Sequence, residues 1–410
     1  MSVLPLPAAT EATRRDVAGQ RLLILSYYFP PDDAVGGLRW AGLSRHLAAL
    51  GWNVCVLTAR ATIAPPGVTL ETCAPGPTVG ERLLRVRRLW RGRTAGLGPG
   101  AAPASPGRTG VWSGLQREIR SLLWVANEGR GWVLAAARRA RALIRRLQPD
   151  VIVSTGPPHG AHLAAWLATR GTRVRWFVDL RDPFVRPLGR AWRSSELWSG
   201  RLGPVLAGLE ERVWIQAATG VLAATRETAA ALAAHYPGLS IAWAPNGVDR
   251  ELLPPRSPDP FPGLSIAHVG WLYGGRRLRP VLVALRRFLD RHPMVDGRAS
   301  LRLVGPIEAE KAEELRRDVA ELRLEGHVHV LGQLPRAEAL RLLSRSRLAI
   351  VLAQDQEYQV PAKLYEPVGM GITTMVVAEA DSASGHEARR IGAIPVAPDD
   401  IAGMARVFEA

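Results

Sequence analysis

Short apolar runs with no 3.6-residue period alternate along this chain with stretches whose apolar residues recur at helical spacing, and Gly and Pro punctuate the two. Residues 21–27 (RLLILSY) read as a buried strand. FPPDDAVGG follows as a Pro/Gly loop, Leu38 to Leu50 as a helix stopped at Gly51, and 52–58 (WNVCVLT) as the next strand. Strand, loop, helix and strand make a βαβ unit, which implies a parallel sheet. The rhythm breaks over residues 60–110 and then returns, with strands at 150–158, 174–184, 219–225 and 241–249 and helices over 135–147, 159–169, 204–218 and 227–235. ELLPPRSPDPFPG (251–263) reads as a linker. The alternation then restarts, with strands at 265–277, 300–306, 327–335, 347–353 and 373–380 and helices over 280–292, 309–322, 336–344 and 363–369.

The pattern therefore predicts an α/β protein of two doubly wound, parallel-sheet domains of similar kind. The boundaries are an N-terminal extension 1–20, a first domain 21–250 carrying an insertion at about 60–146, the linker, and a second domain 264–410. Sheets of this type bind ligands at the carboxyl ends of their strands, and two of them facing one another put the natural site in the cleft between.

Composition changes this picture in two respects. Hydrophobic residues are 47% and charged residues 22% of 410, which excludes a disordered, collagenous or coiled-coil chain. No apolar run approaches the roughly 18 residues of a membrane span, and the first twenty residues lack a signal-like apolar core. Cys55 and Cys73 are the only cysteines, too few for a disulfide scaffold and suited to a reducing cytoplasm. The net charge is +16, but only Lys311 and Lys363 are lysines; the rest of the positive charge is arginine. Sixteen arginines between Arg60 and Arg146 face four acids, Glu71, Glu81, Glu118 and Glu128, so this segment alone carries +12. A field so concentrated favours an anionic partner. No nucleic-acid recognition motif accompanies it, so no nucleic acid is expected. Arg heads with Leu and Trp bodies over 81–146 suit an anionic membrane surface, with a solvated basic face over core tryptophans as the plain alternative.

Four places offer chemistry. Gly36 and Gly37 follow the first strand and precede the first helix, where close backbone approach and a helix N-terminus suit an anion; the alternative is a turn that needs glycine. The loop is neither GxGxxG nor a Walker A sequence. The second domain repeats the device with Gly270, Gly274, Gly275, Arg276 and Arg277, two cations that can hold a diphosphate or stand as a solvated pair. In VPAKLYEPVGMG (360–371), Lys363 opens a helix against the macrodipole preference and Glu366 lies three residues on. Together they can grip a phosphate and a sugar hydroxyl pair, or form an ordinary Lys/Glu pair. His159 and His162 follow the third predicted strand. They are spaced to share a metal but have no third ligand at a recognisable spacing, and a structural role is the alternative. Asp179, Arg181 and Asp182 follow the next strand and are candidates for the same cleft, with Asp182–Pro183 equally consistent with a turn. No G-x-S-x-G, H-E-x-x-H or C-x-x-C is present.

Seven of these pieces stand in order: YYFPPDDAVGGLRWAGLSRHLAALGWNVCVLT, DVIVSTGPPHGAHL, DLRDPF, PNGVD, HVGWLYGGRR, VLGQLP and VPAKLYEPVGMG. Over residues 21–400 the chain resembles glycosyltransferase family 4, nearest to bacterial members that build surface polysaccharides or glycolipids. The resemblance implies the GT-B fold of two Rossmann-like domains around a cleft. It also implies transfer of a sugar from a nucleotide-diphosphate sugar, with retention of configuration, to a lipid-linked or polysaccharide acceptor. No metal or other cofactor is implied, and the place of action is cytoplasmic, at the inner membrane face. By resemblance, Arg276 and Lys363 hold the donor diphosphate and Glu366 accepts from the ribose. Gly36, Gly37, Gly270 and Gly275 line the phosphates, His159 contacts the donor sugar, and Leu331 and Gly332 meet the base. Two departures stand out. Many members have two glutamates eight positions apart, whereas Tyr358 stands eight before Glu366 with Glu357 adjacent, so Glu357 is the candidate for that sugar contact. The chain also ends at Ala410, before the longer C-terminal helix usual in the family. Together these raise a catalytically impaired nucleotide-binding or scaffolding protein as the alternative.

Overall fold

The computed structural model describes residues 19–30, 35–60, 63–78, 81–83, 128–184, 203–293 and 298–410. Most of the N-terminal extension, the Gly/Pro loop at 96–110 and most of the basic insertion lie outside these residues. The chain folds as two compact units, one of Met1–Ala223 with Ala229–Ala244 and one of Ala224–Thr228 with Pro245–Ala410.

The first unit is built on β1 (Arg21–Ser26), α1 (Val35–Ala49), β2 (Asn53–Thr58), β3 (Val68–Thr72), α2 (Glu128–Leu147), β4 (Val151–Gly156) and α3 (Gly160–Thr169). It continues through β5 (Arg175–Leu180), α4 (Gly203–Ala217), β6 (Gly220–Ala223), α5 (Arg226–His235) and β7 (Ile241–Trp243). Its seven strands run in the order β3-β2-β1-β4-β5-β6-β7, all parallel. β1 and β2 are buried at every position after the first, because helices cover both faces of a parallel sheet; that is why they read as continuous apolar runs. β3 falls inside the stretch where the sequence rhythm breaks. It is an edge strand, VTLET, with only Val68 buried, so it lacks the apolar run that marks the central strands. α2 starts seven residues before the predicted Ala135, its first turn hidden by Gly129 and Gly131. Those glycines serve close approach: a Cβ on Gly131 would fall 2.3 Å from Gly76 O, and one on Gly160 would fall 2.6 Å from Gly129 O.

The second unit comprises β8 (Ser265–Val269), α6 (Arg279–Arg291), β9 (Ser300–Val304), α7 (Ala309–Glu321), β10 (Val328–Gly332) and α8 (Arg336–Arg345). β11 (Leu348–Leu352), a 3₁₀ turn Ala362–Leu364, α9 (Tyr365–Gly369), β12 (Thr373–Val377), α10 (Ala383–Ile391), β13 (Ile394–Val396) and α11 (Ile401–Glu409) complete it. The six strands lie parallel in the order β10-β9-β8-β11-β12-β13. The Pro-rich stretch read as a linker is packed within this unit. Phe261 N donates to Arg345 O at 2.9 Å, and the Arg302 and Arg345 guanidinium carbons lie 3.7 and 4.3 Å from the Phe261 ring centre. The unit boundary falls earlier, at Ala244/Pro245. In both sheets the chain reverses its direction of winding beside the first strand, between β1 and β4 and between β8 and β11. Such a reversal leaves a crevice beyond the carboxyl ends of the two strands.

Candidate functional site

In the second unit the two loops bordering the reversal are tied together. Gln354, just past β11, donates through Nε2 to Arg277 O at 2.7 Å. A Cβ on Gly275 would fall 2.2 Å from Asp355 Oδ2, so the loop after β8 lies close against the Asp355 side chain in the loop after β11. Below them, Gly270 N donates to Val304 O and Gly305 N to Gly332 O, each at 2.8 Å. The ends of β8, β9 and β10 are thereby held in one layer.

Arg276 is fixed within this framework. Its Nη1 donates to Trp271 O at 2.6 Å and its guanidinium carbon lies 4.4 Å from the Tyr273 ring centre. Burial lowers its pKa from the ordinary arginine value, opposed by Tyr273. Arg277 parts from it, reaching an exposed Asp399 at 3.6 Å, so the predicted cation pair divides into one framework residue and one surface residue. Lys363, in the 3₁₀ turn before α9, places Nζ 3.4 Å from Glu366 Oε2. Glu366 Oε1 accepts from Arg336 Nη2 at 2.8 Å. Arg336 opens α8 and was not singled out in the sequence. A cation in the first turn of a helix, the same signal that marks Lys363, points to it.

His268, one residue before the end of β8, is buried. Its Nδ1 lies 3.0 Å from Ile350 O; a carbonyl only accepts, so Nδ1 carries the proton and Nε2 is an acceptor. Burial, aided by the positive charge of Arg276, brings its pKa down to about 4 and keeps the ring neutral. Among the described residues of this unit, five buried side-chain atoms have no hydrogen-bond partner: His268 Nε2, Arg276 Nε, Arg336 Nε, Gln354 Oε1 and Glu366 Oε2. For Glu366 Oε2 the lysine is an ion-pair neighbour that is out of hydrogen-bond alignment. All five belong to the carboxyl ends of β8 and β11, to the loops that follow them, or to the first turns of α8 and α9 after β10 and β11. Folded proteins leave few buried polar atoms unsatisfied, and a cluster at one edge of a sheet is what a ligand with both acceptor and hydroxyl groups would complete.

The remaining second-unit candidates are less central. Glu357 is exposed, and burial raises the Tyr358 pKa, reinforced by the hydrogen bond that the Tyr358 hydroxyl donates to the Glu357 carboxylate and by the charge of that carboxylate. The Tyr358 carbonyl accepts from Thr225 Oγ1 at 2.8 Å and Thr228 Oγ1 at 3.1 Å. Leu331 is exposed at the end of β10, and Gly332 has φ +68°.

In the first unit the predicted histidines and Asp179 are enclosed. His159 and His162 follow the carboxyl end of β4 and are both fully buried, with ring centres 5.4 Å apart. A Cβ on Gly156 would fall 2.6 Å from His162 Nε2 and 2.7 Å from His159 Nδ1: glycine ends β4 because two imidazoles pack on it. His162 Nδ1 shares a hydrogen bond of 2.9 Å with Ser154 Oγ, which also accepts from Trp176 Nε1 at 3.0 Å. Burial holds His159 well below the ordinary histidine value and brings His162 down to about 3. Among the described residues no group of three or more His, Cys, Asp or Glu gathers in a metal-holding arrangement.

Asp179 is enclosed in the same way. It has no exposed surface and accepts from Trp40 Nε1 and Thr155 Oγ1, both at 2.7 Å, and from Arg39 Nη2 at 3.3 Å. It fastens β5 to α1 and β4 and has no face left for an acceptor. Arg181 serves the same joint, donating from Nε to Thr155 Oγ1 at 3.2 Å and from Nη2 to Pro157 O. Asp182 is half-buried beside it. A Cβ on Gly37 would fall 3.0 Å from the Phe29 backbone, so this glycine is required for packing, while Gly36 lies in the first turn of α1.

The family described as Glycosyltransferase Family 4 matches residues 38–252, more than half of the chain. Comparison with curated proteins yields no match. Among solved structures, HepE from Anabaena, in complex with UDP, aligns with TM-score 0.59 at 14% identity over 95% of this chain and 89% of that one. A trehalose 6-phosphate synthase from Burkholderia multivorans aligns with TM-score 0.59 at 17% identity over 96% and 88%. The sucrose-phosphate synthase of Thermosynechococcus elongatus aligns with TM-score 0.58 at 15% identity over 95% and 89%. These likenesses bear on the fold, which is GT-B, with two Rossmann-like units. With that fold, and with the family match running from α1 to the end of the first unit and beyond, the chain belongs to Glycosyltransferase Family 4.

Proposed function

We propose that this glycosyltransferase takes its sugar from a nucleotide-diphosphate sugar held at the carboxyl ends of β8, β10 and β11. The observation that carries the reading is the gathering at that edge of all five unsatisfied buried polar atoms among the described residues of the second unit. Two of them are guanidinium N–H groups, suited to phosphate oxygens. Three are acceptors on Glu366, Gln354 and a neutral His268, suited to ribose or sugar hydroxyls. Arg276 and Lys363 stabilise the charge that grows on the departing nucleotide diphosphate, so that the donor needs no metal to neutralise it. Glu366, held between Arg336 and Lys363, accepts from the ribose. The UDP and UDP-glucose complexes of HepE support a uridine nucleotide as the first donor to try.

The acceptor is read as a lipid-linked or polysaccharide intermediate, and the transfer as retaining, as the family resemblance implies. The arginine excess over 60–146 supports work at an anionic inner membrane face. Transfer or donor hydrolysis by wild type and by Lys363→Ala tests the reading. Turnover should fall about 10²–10³-fold, the scale on which removal of one charge-stabilising donor acts; unchanged turnover would overturn it.

One observation favours the second reading, a nucleotide-binding protein of impaired catalysis: the Glu357 carboxylate is exposed and engaged by its neighbour Tyr358. Tight UDP binding with no turnover over a panel of donors and acceptors would select it.

A further inference from the structure

In the first unit, a cavity of about 40 Å³ is lined by Thr78, Arg82, Arg130 and Arg138 among others. Its walls are held by specific bonds. Gly76 N donates to Gly131 O at 3.0 Å, laying the segment after β3 on the first turn of α2. Thr78 N donates to Glu81 Oε2 at 2.8 Å and Glu81 N to Thr78 Oγ1 at 3.2 Å, a reciprocal cap that fixes the turn carrying Arg82. Arg130 is buried and grips Glu210 through both arms, Nη2 to Oε2 at 2.7 Å. Its guanidinium therefore cannot swing away.

Arg82 and Arg138 differ from it. Both are exposed, and among the described residues neither holds a carboxylate. On the same helix as Arg138, Arg139 and Arg146 share Glu71. The acids nearest the recess are already committed, Glu210 to Arg130 and Glu81 to the Thr78 amide. Exposed Leu83 follows Arg82, and exposed Leu134 lies one helical turn before Arg138.

We propose that this recess is a phosphate site. Two exposed guanidinium forks close from the sides on a tetrahedral oxyanion, the Arg130–Glu210 pair forms a fixed floor, and the Thr78 hydroxyl supplies a further donor. Arginine forks match phosphate geometry, and 40 Å³ holds more than a single water, on the scale of one phosphate group. The group is either the headgroup phosphate of an anionic lipid or a soluble phosphate monoester.

The test compares wild type with the Arg82→Ala/Arg138→Ala double variant, whose substitutions lie on the surface and outside the donor residues. Unchanged thermal unfolding and UDP binding serve as controls. Glycerol 3-phosphate is titrated calorimetrically. In parallel, protein is sedimented with vesicles of phosphatidylcholine alone and with vesicles containing phosphatidylglycerol. Wild-type binding should weaken with added salt, and the double variant should bind about tenfold less tightly, the order of one charge-assisted hydrogen bond. A loss with vesicles alone makes the lipid headgroup the source, a loss with glycerol 3-phosphate alone makes it a soluble phosphate, and a loss of both makes it a general phosphate site. Equal binding of both probes by wild type and variant, or no binding of either by wild type, overturns the proposal.

Discussion

Arg336 Nη2 donates to Glu366 Oε1 across 2.8 Å while Lys363 Nζ stands 3.4 Å from the other oxygen, so one carboxylate is shared by two cations, one from the start of α8 and one from the turn before α9. The side chain of Glu366 is only 8% exposed, and among the described residues Arg336 supplies its one direct side-chain hydrogen bond. Removing a partner from a buried ion costs more than the pair itself contributes, because the remaining charge stays desolvated. Arg336→Ala should lower unfolding free energy by about 1–3 kcal/mol and weaken UDP binding, measured by denaturant unfolding and calorimetry. Glu366→Gln tests the other side, keeping the shape and losing the charge. If Arg336→Ala binds UDP as wild type does, the carboxylate does not need this clamp.

Arg276 depends on the ring beneath it. The guanidinium lies over Tyr273 and hydrogen-bonds to the Trp271 carbonyl, so its direction is set by the loop and not by solvent. A cation over an aromatic face gains about 0.5–2 kcal/mol. Tyr273→Leu should therefore raise the donor KM severalfold with a smaller change in kcat, while Arg276→Ala should lower kcat by about 10²-fold. Steady-state kinetics separates the two. Equal effects on kcat and KM from both variants would show that Tyr273 does more than position the cation.

Asp179 carries stability. Its three donors come from α1 and β4, and no solvent reaches it. Asp179→Ala takes the shared acceptor from Trp40 Nε1 and Thr155 Oγ1 and the counter-charge from Arg39, which keeps its bond to Ala244 O, and should cost about 3–5 kcal/mol. Thermal melting checks this. A variant that melts normally but loses acceptor affinity would restore the role that its place in DLRDP suggests.

The contrast between these residues shows what the sequence carried. β1, β2, β4, β8 and β11 were legible because inner strands of a covered parallel sheet are buried along nearly all their length and so carry short apolar runs. β3 and β13 are edge strands that bury less and left no such run. Lys363 was legible because it is one of two lysines and opposes its helix dipole, whereas Arg336 makes the same local violation but is lost among fifty other arginines. Asp179 and His159 were placed near the right strand ends, but alternation along a strand does not say which strand-end polar group faces the crevice and which faces the helix beneath. Partners 139 residues away in sequence, as Trp40 is from Asp179, decide that.

The buried imidazoles make stability depend on acid. In the folded chain His268 titrates at about 4 and His162 at about 3, against an ordinary value of 6.5, chiefly because burial penalises the charged ring; His159 shifts in the same direction. Above pH 6.5 both folded and unfolded chains hold these rings neutral, and the full stability is present. Below it the unfolded chain takes up protons that the folded chain refuses. Stability then falls by about 1.4 kcal/mol per pH unit for each ring, levelling for His268 near pH 4. His268→Asn keeps a donor for Ile350 O and removes one titrating group. Its unfolding free energy between pH 6.5 and 4.5 should decline less steeply than that of wild type, by about 1.4 kcal/mol per unit, as read from urea unfolding at each pH. Parallel declines in the two proteins would mean that the His268 ring is already protonated, or freely solvated, in the folded state.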